Sequence, residues 1–216
     1  IPCALYAYDL LERNGRDMRQ HPFAVRRQKL GPVADSAGFA VSPTLRPTTW
    51  AEADALRETA ADHSAEGLMI KHKNGTYHTG RKRGEWWKWK RDPMTIDAVM
   101  IYAQAGHGRR ANLYTDYTFA LWDGDALVPI AKAYSGLTDA EFRKITAWVR
   151  KNTLQRFGPV RQVPPHQVFE LAFEGIQHSP RHKSGIALRF PRMLRWRTDK
   201  PATEANTLAD IRQYLP

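Results

Sequence analysis

The sequence predicts an α+β protein in two parts, a mixed helix-and-strand part over residues 1–91 and a mainly β part over residues 92–216. Three observations carry this. Helix-start signals alternate with short strand-like runs up to residue 91. Asp92-Pro93 then punctuates the chain. After it come "TIDAVMIYAQ", "YTFALWDGDALVPIAKAY", "HQVFELAFEGIQ" and "SGIALRFPRMLRW", all strand-like and interrupted by a single helical stretch.

In the first part, "CALYAYDLL" reads as a buried strand closed by the polar turn "ERNGRD". Pro22 suits the first turn of a helix running to about Leu30, with Gly31 as its stop. "GFAVSPTL" is a short strand limited by its proline. "TWAE" predicts a capping box, Thr49 capping and Glu52 reaching back, for a helix to about His63 with Trp50, Ala53, Leu56 and Ala60 on one stripe. "EGLMIKHKNGTYHTG" predicts a strand, a tight turn at Asn74-Gly75 and a return strand. "RGEWWKWKRDP" supplies one more. Alternation puts Trp87 and Trp89 on one face, taken as the buried one, and Trp86, Lys88 and Lys90 on the other. The two ammonium groups then stand roughly 7 Å apart on a rigid strand, a spacing suited to phosphate, although lysines on an amphipathic strand can equally face water.

In the second part, Asp123-Gly124 marks a hairpin, and "TDAE" is a capping box at Thr138 and Glu141 for a helix to about Asn152. "TLADIRQYL" is a short helix. Several strands with one inserted helix over about 100 residues suit a small closed barrel of OB type, with a Greek-key sandwich as the alternative.

Composition narrows the function. The net charge is +11, spread over both halves, and comes with 7 Trp, 8 Tyr and 8 Phe. That combination points to a polyanionic partner, nucleic acid first. The lone Cys3 excludes an internal disulfide and a cysteine-based zinc site. No run of 18 apolar residues is long enough to span a membrane, and no signal peptide is visible. The chain opens in a strand-like run without Met, as expected of a piece cut from something longer.

Four stretches, "LYAYDLL", "EGLMIKH", "WWKWK" and "RWRTDK", occur in the order and rough spacing of nucleotidyltransferase motifs III, IV, V and VI. The sequence resembles an ATP-dependent DNA ligase of bacterial type over nearly its whole length. "EG-x-M-x-K" followed by "W-x-K-x-K" is specific as a pair, while either piece alone is weak. The resemblance implies the C-terminal part of an adenylation domain over 1–91, an OB-fold domain over 92–216 and a hinge near residues 91–95. It implies a monomer that seals nicks in duplex DNA with ATP and Mg2+ (or Mn2+), in the bacterial cytoplasm at the nucleoid.

The resemblance also implies roles. Tyr8 would stack on adenine, unless it is a core tyrosine at a strand end. Glu66 would hold a divalent cation near the phosphates, or else serve as a turn residue. Lys71 would face nucleotide or DNA, with solvent as the alternative. Lys88 and Lys90 would neutralise charge on the α-phosphate. Arg197, Asp199 and Lys200, the "R-x-D-K" of motif VI, would orient the β- and γ-phosphates as pyrophosphate leaves. Arg81 and Arg83 would touch DNA phosphates, or belong to a plain basic loop.

One departure matters. None of the eleven lysines fits the family's nucleophilic Lys-x-Asp-Gly, and "KRDP" at Lys90 has proline where glycine is needed. The 216 residues alone are therefore expected to form no lysyl-AMP. Two alternatives remain open, an mRNA-capping guanylyltransferase with the same motifs and a non-catalytic nucleic-acid-binding OB module. RNA ligases fit less well, because their C-terminal domains are usually not OB folds.

Overall fold

The computed structural model describes residues 4–63 and 65–215. The chain divides into two compact units, one up to Asp92 and one from Pro93. Cys3, which carries the disulfide and zinc expectations, lies outside the described residues.

The first unit is built from short pieces. β1 (Tyr6–Ala7) pairs in parallel with β4 (Ala40–Val41). β2 (Glu12–Arg13) and β3 (Arg16–Asp17) form a hairpin around Asn14-Gly15. The expected buried opening strand is instead two residues long and largely exposed, with Leu5, Tyr6 and Tyr8 all open to solvent. Helix α1 (Phe23–Ala37) follows Pro22 as expected but runs through Gly31 and Pro32, ending at Gly38 in left-handed conformation. Arg26, Leu30 and Ala34, spaced by four, are its buried face. Burial along that stripe outweighs the local breakers.

Helix α2 (Trp50–Glu58) continues as a 3-10 turn, Thr59–His63. Its capping box is half-formed. The Thr49 hydroxyl accepts from the Glu52 amide, but the Glu52 carboxylate turns to the backbone N–H and hydroxyl of Thr48. The predicted stripe is partly wrong: Ala53 and Ala60 are buried, Trp50 is exposed and Arg57 takes a buried position. β5 (Gly67–Lys71) pairs antiparallel with β6 (Trp86–Lys90). The return strand expected right after Asn74-Gly75 is absent among the described residues there. The Gly75 carbonyl instead accepts from the Phe23 amide and the Arg26 guanidinium, which ties the turn to α1.

The second unit wraps strands around one core. β7 (Met94–Ala105), β8 (Tyr114–Asp123) and β9 (Ala126–Ala133) form an antiparallel meander, with the Asp123-Gly124 hairpin as predicted. Helix α3 (Asp139–Asn152) follows, its Thr138–Glu141 capping box complete and Phe142, Ile145, Thr146 and Val149 turned inward. β10 (Gln155–Phe157) and the long β11 (Val160–Phe173) return beside β7, and a register shift between Gln162 and Gln167 absorbs Pro164 and Pro165. β12 (Gly175–His178) and β13 (Ile186–Arg189) make a hairpin. β14 (Arg192–Trp196) pairs with β11, and α4 (Leu208–Arg212) closes the unit.

The sheet order is β10-β11-β7-β8-β9, with β14 also on β11. Its inner face buries Met100, Phe119, Leu121, Phe169 and Leu171 against α3 and α4. Each such side chain contributes about 1.5–3 kcal/mol relative to exposure. A helix set into a meander around a single core is the OB-type arrangement, not the Greek-key sandwich. On the other face Val99 and Val168 are covered by Ala205 and Ala202 from the C-terminal segment.

Candidate functional site

In the first unit the site is built on the β5–β6 ribbon. The register sets Gly67 opposite Lys90, Met69 opposite Lys88 and Lys71 opposite Trp86. Period-two alternation therefore gathers Met69, Lys71, Trp86, Lys88 and Lys90 on one face, and Leu68, Ile70, Trp87 and Trp89 on the other.

The anchoring differs from expectation. Trp87 is 46% exposed, so it does not bury the strand. Trp89 is held edge-on by Trp50 at 5.8 Å between centroids and lies under the Arg57 guanidinium at 5.4 Å. Arg57 also donates to the Lys90 carbonyl at 2.9 Å. The tryptophan on the lysine face, Trp86, is half-buried like Trp89. Tyr77, Tyr8 and Phe23 meet it edge-on at 5.6, 6.4 and 6.4 Å. Two faces follow from alternation, but which one is covered depends on residues more than 60 positions earlier, such as Tyr8 and Phe23.

Lys71 lies inside that aromatic group. Its ammonium is 4.0 Å from the Trp86 centroid, 4.7 Å from Phe23 and 4.8 Å from Tyr8. Cation–π attraction favours the ammonium here, yet burial lowers its pKa, with Arg27 and Arg26 adding repulsion against the attraction of Asp9. The Tyr77 hydroxyl is pushed up, first by its hydrogen bond with Tyr8 and then by burial. Tyr8 is half-exposed, so it is a rim residue and not a core tyrosine.

Beneath this cluster lies an ion pair that sequence reasoning missed. The fully buried Arg26 donates to Asp9 through Nε at 2.8 Å and Nη2 at 3.0 Å, and to the carbonyls of His21 and Gly75. It joins the segment just after β1, the start of α1 and the turn after β5, and so holds Tyr8 beside Trp86. The signal in the sequence was Arg26 falling on the apolar stripe of α1.

At the other end of the ribbon, Lys90 Nζ is 3.1 Å from Glu66 Oε2. The aromatic end and the Glu66–Lys90 end are four residues apart along β6, roughly 13 Å, with Lys88 between them. Arg81 and Arg83 are exposed on the irregular connection between β5 and β6. His78 and Glu85 pair across that connection at 3.0 Å, and the Glu85 carboxyl is held below its ordinary value by His78. The ribbon thus offers an aromatic platform and three lysines on a single face, with the Glu66 carboxylate paired to Lys90 at its end.

The motif VI residues sit just beyond β14 in the second unit. Arg197 grips Asp199 through Nε and Nη2, at 2.9 Å for the latter, and reaches Asp97 Oδ2 with Nη1 at 2.9 Å. Lys200 Nζ meets the same Asp97 oxygen at 2.8 Å. Arg197 pushes the Asp199 carboxyl down to about 2. Asp97 was not singled out from sequence, although a lone acid inside the apolar run "TIDAVMI" demands a cationic partner.

Among the described residues no group of three His, Cys, Asp or Glu side chains could cage a metal ion. Glu66 is the acid that meets Lys90 at the end of the ribbon. It fits a hard divalent cation that draws most of its ligands from phosphate oxygens and water. No helix among the described residues is long and apolar enough to cross a membrane.

Comparison with known proteins shows the family. A profile described as the ATP-dependent DNA ligase domain matches residues 1–90, and one described as the ATP-dependent DNA ligase C-terminal region matches residues 110–200. A probable DNA ligase of Koribacter versatilis is 45% identical over 167 residues, covering 77% of this chain and 29% of the relative. A probable DNA ligase of Opitutus terrae is 36% identical, covering 99% of this chain and 24% of the relative. A solved structure from the Lig E DNA ligases superimposes with a TM-score of 0.61 at 21% identity, over 90% of this chain and 63% of that one. At that identity the likeness shows the fold alone. The chain spans between about a quarter and two fifths of the curated relatives it matches, 24% to 39% of their length. Relatives named as DNA ligases do not favour the capping-guanylyltransferase alternative.

Proposed function

The chain belongs to the ATP-dependent DNA ligase family, and we propose that it is part of a protein that seals nicks in duplex DNA. In that protein a lysine attacks the α-phosphorus of ATP and pyrophosphate leaves. AMP then passes to the 5′-phosphate of the nick, and the 3′-hydroxyl displaces it. No lysine here stands in Lys-x-Asp-Gly, so the attacking lysine is contributed from outside these 216 residues. Residues 1–91 act as part of the adenylation domain and 92–216 as the OB domain.

The observation that carries this reading is the lysine face of the β5–β6 ribbon, with the aromatic group at one end and the Glu66–Lys90 pair at the other. Tyr8 offers a π-face to adenine. Lys88 and Lys90 are fixed cations for the α-phosphate, preorganised before charge develops there. Lys71, held on Trp86, adds a third cation toward the nucleotide. Glu66 would hold Mg2+ (or Mn2+), which when bound would neutralise charge on the phosphate oxygens. Arg197 offers a fork and Lys200 a point charge to the β- and γ-phosphates, with Asp199 orienting Arg197. Arg81 and Arg83 meet the phosphates of nicked DNA, and the protein acts as a monomer.

Nick sealing by the whole protein tests this. Lys88→Ala or Lys90→Ala is expected to lower sealing about 10²–10³-fold, the scale for removing one transition-state donor. Full sealing by both variants would overturn the reading. The 216-residue chain incubated with labelled ATP and Mg2+ is expected to acquire no acid-stable label.

A further inference from the structure

Arg197 and Lys200 converge on one anionic oxygen. Asp97 Oδ2 accepts from Arg197 Nη1 at 2.9 Å and from Lys200 Nζ at 2.8 Å, while Asp199 takes the other edge of the guanidinium. Two cations and two carboxylates make a locally neutral cluster on a chain of net charge +11. One guanidinium N–H and an ammonium closing on a single anionic oxygen is how such side chains hold a phosphate oxygen.

The anion is the fixed member. The Asp97 side chain is 11% exposed. Its backbone N–H donates to Asn206 Oδ1 at 2.9 Å, its carbonyl accepts from the Asn206 amide at 3.0 Å, and it sits in register with Glu170 in β11. The cations are the movable members. Arg197 and Lys200 follow the end of β14 in a turn closed by the Lys200 amide and the Arg197 carbonyl, with side chains 19% and 22% exposed. The long stems of Arg and Lys let them swing out while a short Asp on a paired central strand cannot follow.

We propose that Asp97 is a positioning residue that occupies the phosphate seat of Arg197 and Lys200, a built-in stand-in that a polyphosphate must displace. The proposal rests on reading those two residues as phosphate ligands. It adds that their affinity is set by competition with Asp97. The resting cluster carries no net charge and so does not attract nucleic acid phosphates. Only a ligand presenting several anionic oxygens close together matches what the two cations give up.

The test uses the 216-residue chain and inorganic tripolyphosphate, followed by NMR at Arg197 Nε–Hε so that binding at other cations is not counted. Asp97→Asn keeps shape and an acceptor but removes the charge. It is expected to tighten binding at Arg197 at least tenfold, the order of one charge-assisted hydrogen bond exchanged, and Asp97→Asn with Lys200→Gln is expected to lose much of that gain. In the wild type, the Asp97 carboxyl carbon resonance is expected to move as tripolyphosphate is added, a readout that needs no variant to fold. Unchanged or weaker binding in Asp97→Asn, an Asp97 resonance that stays still, or no response at Arg197 in either protein would each overturn the proposal. The nick-sealing test of Lys88 and Lys90 stands apart from these outcomes, so the two readings can fail separately.

Discussion

Replacing Gly67 with Ala should damage the ribbon that carries the candidate site. Gly67 opens β5 opposite Lys90 with φ +146, a backbone that side chains rarely adopt. A Cβ there would stand 2.3 Å from the Trp89 carbonyl oxygen, 2.7 Å from Lys90 Cα and 3.1 Å from the Trp89 carbonyl carbon. Carbon contacts settle at about 3.5–4.0 Å, so β6 would have to retreat by about 1 Å. All three obstacles are backbone atoms of the paired strand, which no rotamer change relieves. The φ alone costs a residue with a side chain about 1–3 kcal/mol, and the overlap about another 1–3 kcal/mol. The expected loss is therefore about 2–6 kcal/mol, concentrated beside the Glu66–Lys90 pair. Gly31→Ala is the matched control. It lies inside α1 with open space beyond its chain neighbours, and the helical gain of a side chain is offset by its clash with the Pro32 ring, so its stability should change by less than about 1 kcal/mol. Urea unfolding followed by tryptophan fluorescence reads both, with amide exchange along β5 and β6 as the local probe. A Gly67→Ala protein with the wild-type midpoint and unchanged protection at Met69 and Ile70 would refute the close-approach argument.

Arg26→Met should cost about 3–5 kcal/mol by stranding the Asp9 carboxylate, and the double variant with Asp9→Leu should melt higher than the single one. The Asp199 carboxyl should titrate near 2 in a carbon-detected NMR experiment, and Arg197→Ala should return it toward the ordinary aspartate range. Because that value is depressed in the fold, whatever the pair contributes is present above the ordinary aspartate range and is lost as pH falls toward 2. Thr138→Ala should lower stability by about 1 kcal/mol through loss of the α3 cap, measured by thermal melting. The logarithm of the affinity for nicked duplex should fall linearly with the logarithm of salt concentration as counterions are released, and a flat titration would argue against a phosphate-tracking surface.

The legible parts of the fold were those decided by neighbours in sequence. The alternation in "WWKWK" fixed which side chains share a face of β6, and Thr138 with Glu141 fixed where α3 starts. What escaped was decided by partners far away. Trp86, not Trp87, is the enclosed indole because Tyr8, Phe23 and Tyr77 arrive from other segments. Helix α1 passes Gly31-Pro32 because Arg26, Leu30 and Ala34 bury along one stripe. Within the candidate site, Glu66 and Lys90 come into contact, and Lys71 meets Tyr8. Asp97, a hundred residues before Arg197, announced itself only as a charge in an apolar strand.

The stitch between Asp97 and Asn206 joins positions 109 residues apart. Synthesis runs from one to the other, so a nascent chain carries Val99, Val168 and Trp122 without their cover until Ala202, Ala205 and Asn206 clear the ribosome. A chain interrupted before Ala202 would lack both the cover of Val99 and Val168 and helix α4, leaving apolar surface open on both faces of the sheet. Such a product is what chaperones and proteases bind, which makes the stretch from Ala202 to Arg212 a checkpoint for the unit's own quality control.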